Sequence, residues 1–119
     1  MATVTLTREN FEQTLIDNEM VLVDFWASWC GPCRMFAPIY EDASEAHPEI
    51  TFGSIDTEDQ RELSAAAQIT SIPTLMAFKK GNLVFAQPGA LPAAALAEVI
   101  AALVALDIDA ALAESEKRT

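Results

Sequence analysis

The sequence predicts one α/β domain, a mixed β-sheet with helices on both faces. Three observations carry that expectation. Strand-like and helix-like apolar periodicities alternate along the chain in the order β-α-β-α-β-α-β-β-α. Met20–Trp26 is a near-continuous apolar run, as expected of a central strand covered on both faces. Two short apolar segments flank Lys80-Gly81-Asn82, which reads as a hairpin and therefore as an antiparallel pair. With 119 residues, no repeat and no linker-like stretch, residues 1–119 form a single domain, with 107–119 as a C-terminal extension. A hydrophobic content of 51% with 21% charged residues is globular and not disordered.

Each element has a local reason. Thr3–Leu6 alternates β-formers with their neighbours and reads as a short strand. Thr7 suits a helix N-cap, with Glu9 in the first turn and Phe11, Leu15 and Ile16 on one stripe. After the Met20–Trp26 strand the spacing turns helical from Gly31, with Phe36, Ile39 and Ala43 about a turn apart and Pro38 expected to kink the helix. Ile50–Ile55 reads as a strand and Asp59–Ala67 as a short helix. Leu75–Phe78 and Leu83–Phe85 are the hairpin strands. Pro92 fits the first turn of a helix whose stripe is Leu96, Val99, Ile100 and Leu103. A further short helix is expected at the end, with Ile108 and Leu112 facing together.

Charge and composition exclude several function classes. With 18 acidic and 7 basic residues the net charge is −11, which argues against nucleic acid as a partner. The acidity is read as solubility and self-repulsion. No apolar run approaches the ~18 residues of a membrane span. The N-terminus lacks a basic start, an apolar stretch and a cleavage site, so no signal peptide is expected. The expectation is a cytoplasmic monomer, in a compartment where a close cysteine pair is catalytic or metal-binding more often than structural.

Cys30-Gly31-Pro32-Cys33 sits where the apolar strand hands over to a helix. Side chains three apart on a helix are neighbours, within the reach a disulfide needs, so the pair can close and open with little backbone movement. Cys30, at the helix start, faces unpaired N–H groups and the positive end of the helix dipole, which favours its thiolate. Cys33, one turn in, is expected to be more buried and less acidic. Cys30 is then the nucleophile on a partner's disulfide, and Cys33 resolves the mixed disulfide. An inert buried pair or half of a metal site is the alternative. Two cysteines and a lone His47, itself placed as a solvated boundary residue before Pro48, fall short of four zinc ligands, so no metal is expected. Gly-rich phosphate loops are absent, which argues against a bound nicotinamide cofactor. Asp24 stands inside the apolar strand, on the face of Leu22 and Trp26, where burial is expected to raise its pKa.

Val23-Asp24-Phe25-Trp26-Ala27-Ser28-Trp29-Cys30-Gly31-Pro32-Cys33 resembles the active-site stretch of the thioredoxin family. The resemblance extends in order through Ala37-Pro38, Thr70-Ser71-Ile72-Pro73-Thr74-Leu75, Phe78-Lys79-Lys80-Gly81 and Pro88-Gly89-Ala90. It implies a thioredoxin fold: a central mixed five-stranded sheet flanked by four helices, here with a short C-terminal helical extension. It also implies a protein-disulfide reductase whose electrons reside on the Cys30–Cys33 redox disulfide, with no bound cofactor. Its partners are disulfide-containing proteins and a thioredoxin reductase as electron donor.

On the same resemblance Asp24 assists proton transfer for the buried thiol, and the Ile72–Pro73 bond is cis and lies against the cysteines. Trp29, Gly31, Pro32, Ile72, Pro73, Gly89 and Ala90 form the substrate-binding rim, with Thr70-Ser71-Ile72 pairing a substrate backbone. Trp26 is expected to be buried packing. One departure stands out. Many members carry Lys on the strand facing the Asp, and Ser54 occupies that place here. Two other readings keep the fold. An oxidant or isomerase commonly places a His between its cysteines, where this chain has Gly-Pro. A docking subunit with dispensable cysteines would survive Cys30→Ser, Cys33→Ser.

Overall fold

The computed structural model describes residues 2–117. At its centre lies β2 (Met20–Trp26). Val21, Val23 and Phe25 fill one side of the sheet while Leu22 fills the other, which is why the strand is apolar at nearly every position. β3 (Thr51–Asp56) runs parallel to β2, and β1 (Thr3–Thr5) runs parallel to β3. On the other side β4 (Thr74–Lys79) and then β5 (Asn82–Pro88) are antiparallel, for the order β1-β3-β2-β4-β5. The expected mixed five-stranded sheet is therefore present.

α1 (Phe11–Asp17) and α3 (Arg61–Ala66) cover one face, where Phe11, Leu15 and Leu63 pack on Val21, Val23, Phe25, Ile55 and Met76. α2 (Gly31–Ala46) and α4 (Ala93–Ala105) cover the other, where Phe36, Tyr40, Leu96 and Ile100 close over Leu22, Phe52 and Leu75. α2 continues through Pro38 without a break. The β4–β5 turn is shorter than the spacing suggests, Lys80-Gly81 alone, with Asn82 already paired to Lys79. Both turn residues have positive φ, 50° and 79°, as a two-residue hairpin turn requires.

Several boundaries differ from the sequence expectation. Thr7 does not cap α1, because Asn10 closes a turn ahead of it: its Oδ1 accepts from Thr7 N at 2.7 Å and its Nδ2 donates to Thr5 O at 3.1 Å. The helix starts at Phe11, and Ile16, five positions on and so about 140° around it, is 75% exposed. β3 starts one residue later than expected. α3 starts two later than Asp59, since Asp56 Oδ1 accepts from Glu58 N at 2.9 Å and holds a turn there. Pro92 stands just ahead of α4, in extended conformation, instead of in its first turn.

The extension forms α5 (Ile108–Lys117). Ile108 is buried but Leu112 is exposed, so the two do not share a packed face. The Lys79 ammonium, itself buried, donates to the carbonyls of Leu103, Val104 and Leu106 at 2.6, 3.1 and 2.7 Å. All three of its protons thus go to the carbonyl end of α4, the end that attracts positive charge.

Candidate active site

β2 ends at Trp26, and four residues later Cys30 stands at the N-cap of α2. Gly31-Pro32 opens the helix, and a proline suits this turn because its missing N–H has no partner there. Cys33 N donates to Cys30 Sγ at 3.2 Å, the position of a side-chain cap, here filled by sulfur. The two cysteines are joined as a disulfide with Cα atoms 5.2 Å apart. Within this bonded pair both residues are buried to nearly the same degree, so the expected contrast in burial is not visible here. What separates them is place: Cys30 at the helix end, Cys33 one turn in.

The rim comes together from three distant segments. Ile72–Pro73 is a cis peptide bond, and the Ile72 carbonyl oxygen lies 3.7 Å from Cys30 Sγ. Gly89 N donates to Pro73 O at 2.7 Å, which draws Gly89-Ala90 alongside. Gly89 has φ of +100°, a backbone that other residues rarely adopt. Trp29 is 65% exposed beside Cys30. Pro32, Gly89 and Ala90 are also exposed, Gly31 and Ile72 are half-buried, and Pro73 is buried beneath them.

Behind the disulfide, Asp24, Cys33, Ala37, Tyr40, Glu41 and Ser54 line a cavity of about 370 Å³. Asp24 is 5% exposed, and its Oδ1 has no hydrogen-bond partner among the described residues. Burial raises its pKa from 3.8 to about 7. An apolar side chain at that site contributes roughly 1.5–3 kcal/mol by burial, so a carboxylate there costs the fold stability. Ser54 is the register partner of Asp24 across β2–β3, as expected. Trp26, expected as buried packing, is half-buried and forms part of the cavity wall.

Three contributors escaped sequence reasoning. Glu58 Oε1 accepts the Trp29 indole N–H at 2.9 Å, and Glu58 Oε2 accepts from Arg61 at 3.1 Å. Tyr40, read only as part of a helix, donates its hydroxyl to Gly53 O at 2.7 Å. Burial, and then the Asp24 charge, push the Tyr40 hydroxyl pKa upward. Arg34 donates to Ser28 O at 3.0 Å, bracing the loop ahead of Cys30. Tyr40 had a signal, being one turn from Phe36; Glu58 had none, as one acidic residue in a polar run. Among the described residues no group of three or more His, Cys, Asp or Glu is placed to hold a metal ion.

Comparison with known proteins agrees with this geometry. The Thioredoxin family model matches residues 2–102, from β1 into α4. A candidate thioredoxin 2 of Streptomyces coelicolor is 59% identical over 108 residues, covering 91% of this chain and 81% of that protein. The thioredoxin of Alicyclobacillus acidocaldarius is 44% identical over 104 residues, covering 83% of this chain and 99% of that one. The solved structure of Plasmodium falciparum thioredoxin matches with a TM-score of 0.77 at 36% identity, covering 82% of this chain and 95% of that chain. With a disulfide-forming pair in a strand-to-helix setting and a match of this extent, the chain belongs to the thioredoxin family and is a protein-disulfide reductase.

Proposed function

We propose that Cys30 is the nucleophile, Cys33 the resolving thiol and Asp24 the proton acceptor of a dithiol reductase acting on protein disulfides. In the dithiol state the Cys30 thiolate attacks one sulfur of a substrate disulfide. A Cys30–substrate bond forms, the substrate S–S bond breaks, and the departing sulfur leaves as a thiolate that takes up a proton. Cys33 then gives its proton to Asp24 and attacks Cys30 Sγ. The Cys30–Cys33 bond forms, and the second substrate sulfur leaves as a thiolate that is protonated in turn. Two electrons have moved from the cysteine pair to the substrate. The observation that carries this reading is the Cys33 N–H on Cys30 Sγ at the N-cap of α2, which stabilises negative charge on that sulfur and no other.

Substrate segments bind the rim of Trp29, Gly31, Pro32, Ile72, Pro73, Gly89 and Ala90, with the backbone of Thr70-Ser71-Ile72 as a pairing edge. The protein works as a monomer in the cytoplasm, as a single domain over 1–119 with 107–119 as its C-terminal extension, of which 118–119 lie outside the described residues. Electrons return from a thioredoxin reductase, and the electron-carrying group is the disulfide itself, with no bound cofactor or metal.

The deciding measurement is the reduction potential of the Cys30–Cys33 couple against a defined thiol buffer. Thioredoxin itself is the reference for a reducing member at about −270 mV, a measured family value and not one derived from this geometry, against about −180 mV for an isomerase and about −120 mV for a strong oxidant. A value near the first supports the reductase. A value near either of the others overturns the direction proposed for the site.

A further inference from the structure

The surface of β5 and α4 differs in character from the rest of the molecule. Of the 18 acidic and 7 basic residues in the chain, only Glu98 falls between Leu83 and Leu106. That stretch makes up most of β5 and all of α4. Leu83 on the strand and Val104 on the helix are 52% and 48% exposed. Between the two elements runs a groove of about 430 Å³, lined among others by Val84, Phe85, Glu98, Val99, Ala102 and Leu103. β5 is an edge strand, so the groove lies at the margin of the sheet. An uncharged apolar face on a chain of net charge −11 is the kind of patch that marks an interaction surface.

Two features say what fits there. The first is Glu98, which is exposed at the groove and has no hydrogen-bond or ion-pair partner among the described residues. Glu41, Glu58, Glu62 and Asp109, by contrast, are tied to donors within the chain. A lone carboxylate beside an apolar wall complements a cation delivered on an apolar segment. The second is the form of the edge. Strand addition needs a regular row of free N–H and C=O groups along β5. The pairing of β5 with β4 shifts register between Ala77 and Phe78, and the strand ends on Pro88, which has no N–H. An extended chain is therefore poorly received. A helix needs no backbone partner, and the small Ala95 and Ala102 side chains in the groove let one approach closely. A second copy of this chain is the weaker fit. It brings another −11, and its Arg8, Arg61 and Lys80 are already paired with carboxylates.

We propose that the β5–α4 face is a docking site for an amphipathic helix of a partner protein, with the apolar stripe of that helix in the groove and a Lys or Arg against Glu98. The site goes beyond the disulfide chemistry, since none of its residues belongs to the cysteine pair or to the rim. Its occupation needs no thiol.

The test titrates the isotope-labelled full chain with a synthetic, cysteine-free helical peptide of about four turns and follows the amide signals by NMR. The peptide carries Leu at i, i+3, i+4 and i+7 spacing, Ala and Gln elsewhere, and one residue flanking the stripe that is Lys, Gln or Glu. Shifts should concentrate on β5 and α4 and leave Trp29 and Ile72 in place. At low ionic strength the Lys peptide binds about 2- to 5-fold tighter than the Gln peptide, the scale of an exposed ion pair, and added salt removes the difference. Glu98→Gln makes the two peptides equal, and Glu98→Lys turns the preference toward the Glu peptide. Ala102→Gln, at another exposed position, fills the groove and weakens all three. A proline at the centre of the peptide abolishes binding. No shift on β5 and α4 by about 1 mM peptide, or shifts centred on Trp29 and Ile72, overturns the proposal. So does a Lys preference that survives Glu98→Gln, which is general attraction to an acidic chain. Equal binding of the proline peptide makes the occupant an extended segment, and dimerisation that moves the same amides without peptide makes it a second copy; either result also overturns the proposal.

Discussion

Asp24 on β2 stands in register with Ser54 on β3, and burial alone raises its carboxyl pKa to about 7. The hydroxyl partner supplies no positive charge that would favour the ionised form. Ser54→Lys puts an ammonium on the neighbouring strand, and an opposite charge at that range stabilises the carboxylate. Asp24 should then titrate well below 7, back toward the ordinary carboxylate range. Carboxyl-carbon NMR of Asp24 across the pH range reads this directly. A titration that stays near 7 in the variant means that the lysine escapes to solvent and the pair does not couple.

The same carboxyl makes stability depend on pH with a definite sign. Its pKa rises on folding from 3.8 to about 7, so the folded state favours the protonated form. The penalty is absent below about pH 3, where both states are protonated, grows between pH 3 and 7 as the unfolded chain ionises, and levels off above that. At about 1.4 kcal/mol per pH unit the gap amounts to roughly 4 kcal/mol at pH 8. Asp24→Asn should therefore be more stable than the native chain at pH 8 by several kcal/mol, with the difference gone near pH 3. Urea unfolding at both pH values measures the difference. The same variant should turn over more slowly at pH 6–9 while Cys30 still forms mixed disulfides. An unchanged turnover removes Asp24 from the proton path.

Those two residues also show what a sequence can and cannot disclose. A carboxylate within Val21–Trp26 is conspicuous, because every neighbour is apolar and the strand period assigns its face. The cysteine pair is equally legible, since a three-residue spacing at a strand–helix junction fixes its geometry locally. Glu58 is different. Its contact with Trp29 spans 29 residues and depends on how α3 is set against the rim. Nothing in its local pattern distinguishes it from Asp59 or Glu62. Lys79 is a second case: read as part of a strand–turn sequence, it gives no hint that its ammonium is buried on α4, 24 residues away at the nearest. The helix starts failed for a third reason. Asn10 and Asp56 close turns with their own side chains, and such local hydrogen bonds compete with helix extension in ways that apolar spacing does not reveal.

Lys79 yields a prediction of its own. Its three bonds tie β4 to the last carbonyls of α4, just ahead of the extension. Lys79→Met keeps the length and apolar stem of the side chain but leaves those carbonyls without a donor. The loss should be about 1–3 kcal/mol, the cost of buried acceptors left unmet. Chemical denaturation measures it, and hydrogen exchange should show the opening concentrated in amides at the C-terminal turn of α4. A uniform change across the sheet would mean that Lys79 supports the core generally and does not act as a cap.

The division of labour between the two sulfurs is open to direct trapping. Cys30 caps α2 beside the Ile72 carbonyl at the rim, whereas Cys33 faces the cavity it shares with Asp24. Of the two sulfurs, Cys30 Sγ is the one that accepts a backbone N–H, from Cys33, and the one that lies beside the Ile72 carbonyl at the rim. Cys33→Ser should attack a protein disulfide normally and then stall, because a serine hydroxyl does not displace the substrate from Cys30. Intact-mass spectrometry should find the variant covalently joined to its substrate through Cys30, with the adduct cleared by added dithiol. Cys30→Ser should give no such adduct under the same conditions, its remaining thiol being turned inward. An adduct on Cys33 of comparable yield would reverse the two roles, and the N-cap geometry would then be a stabilising feature of the fold with no part in choosing the nucleophile.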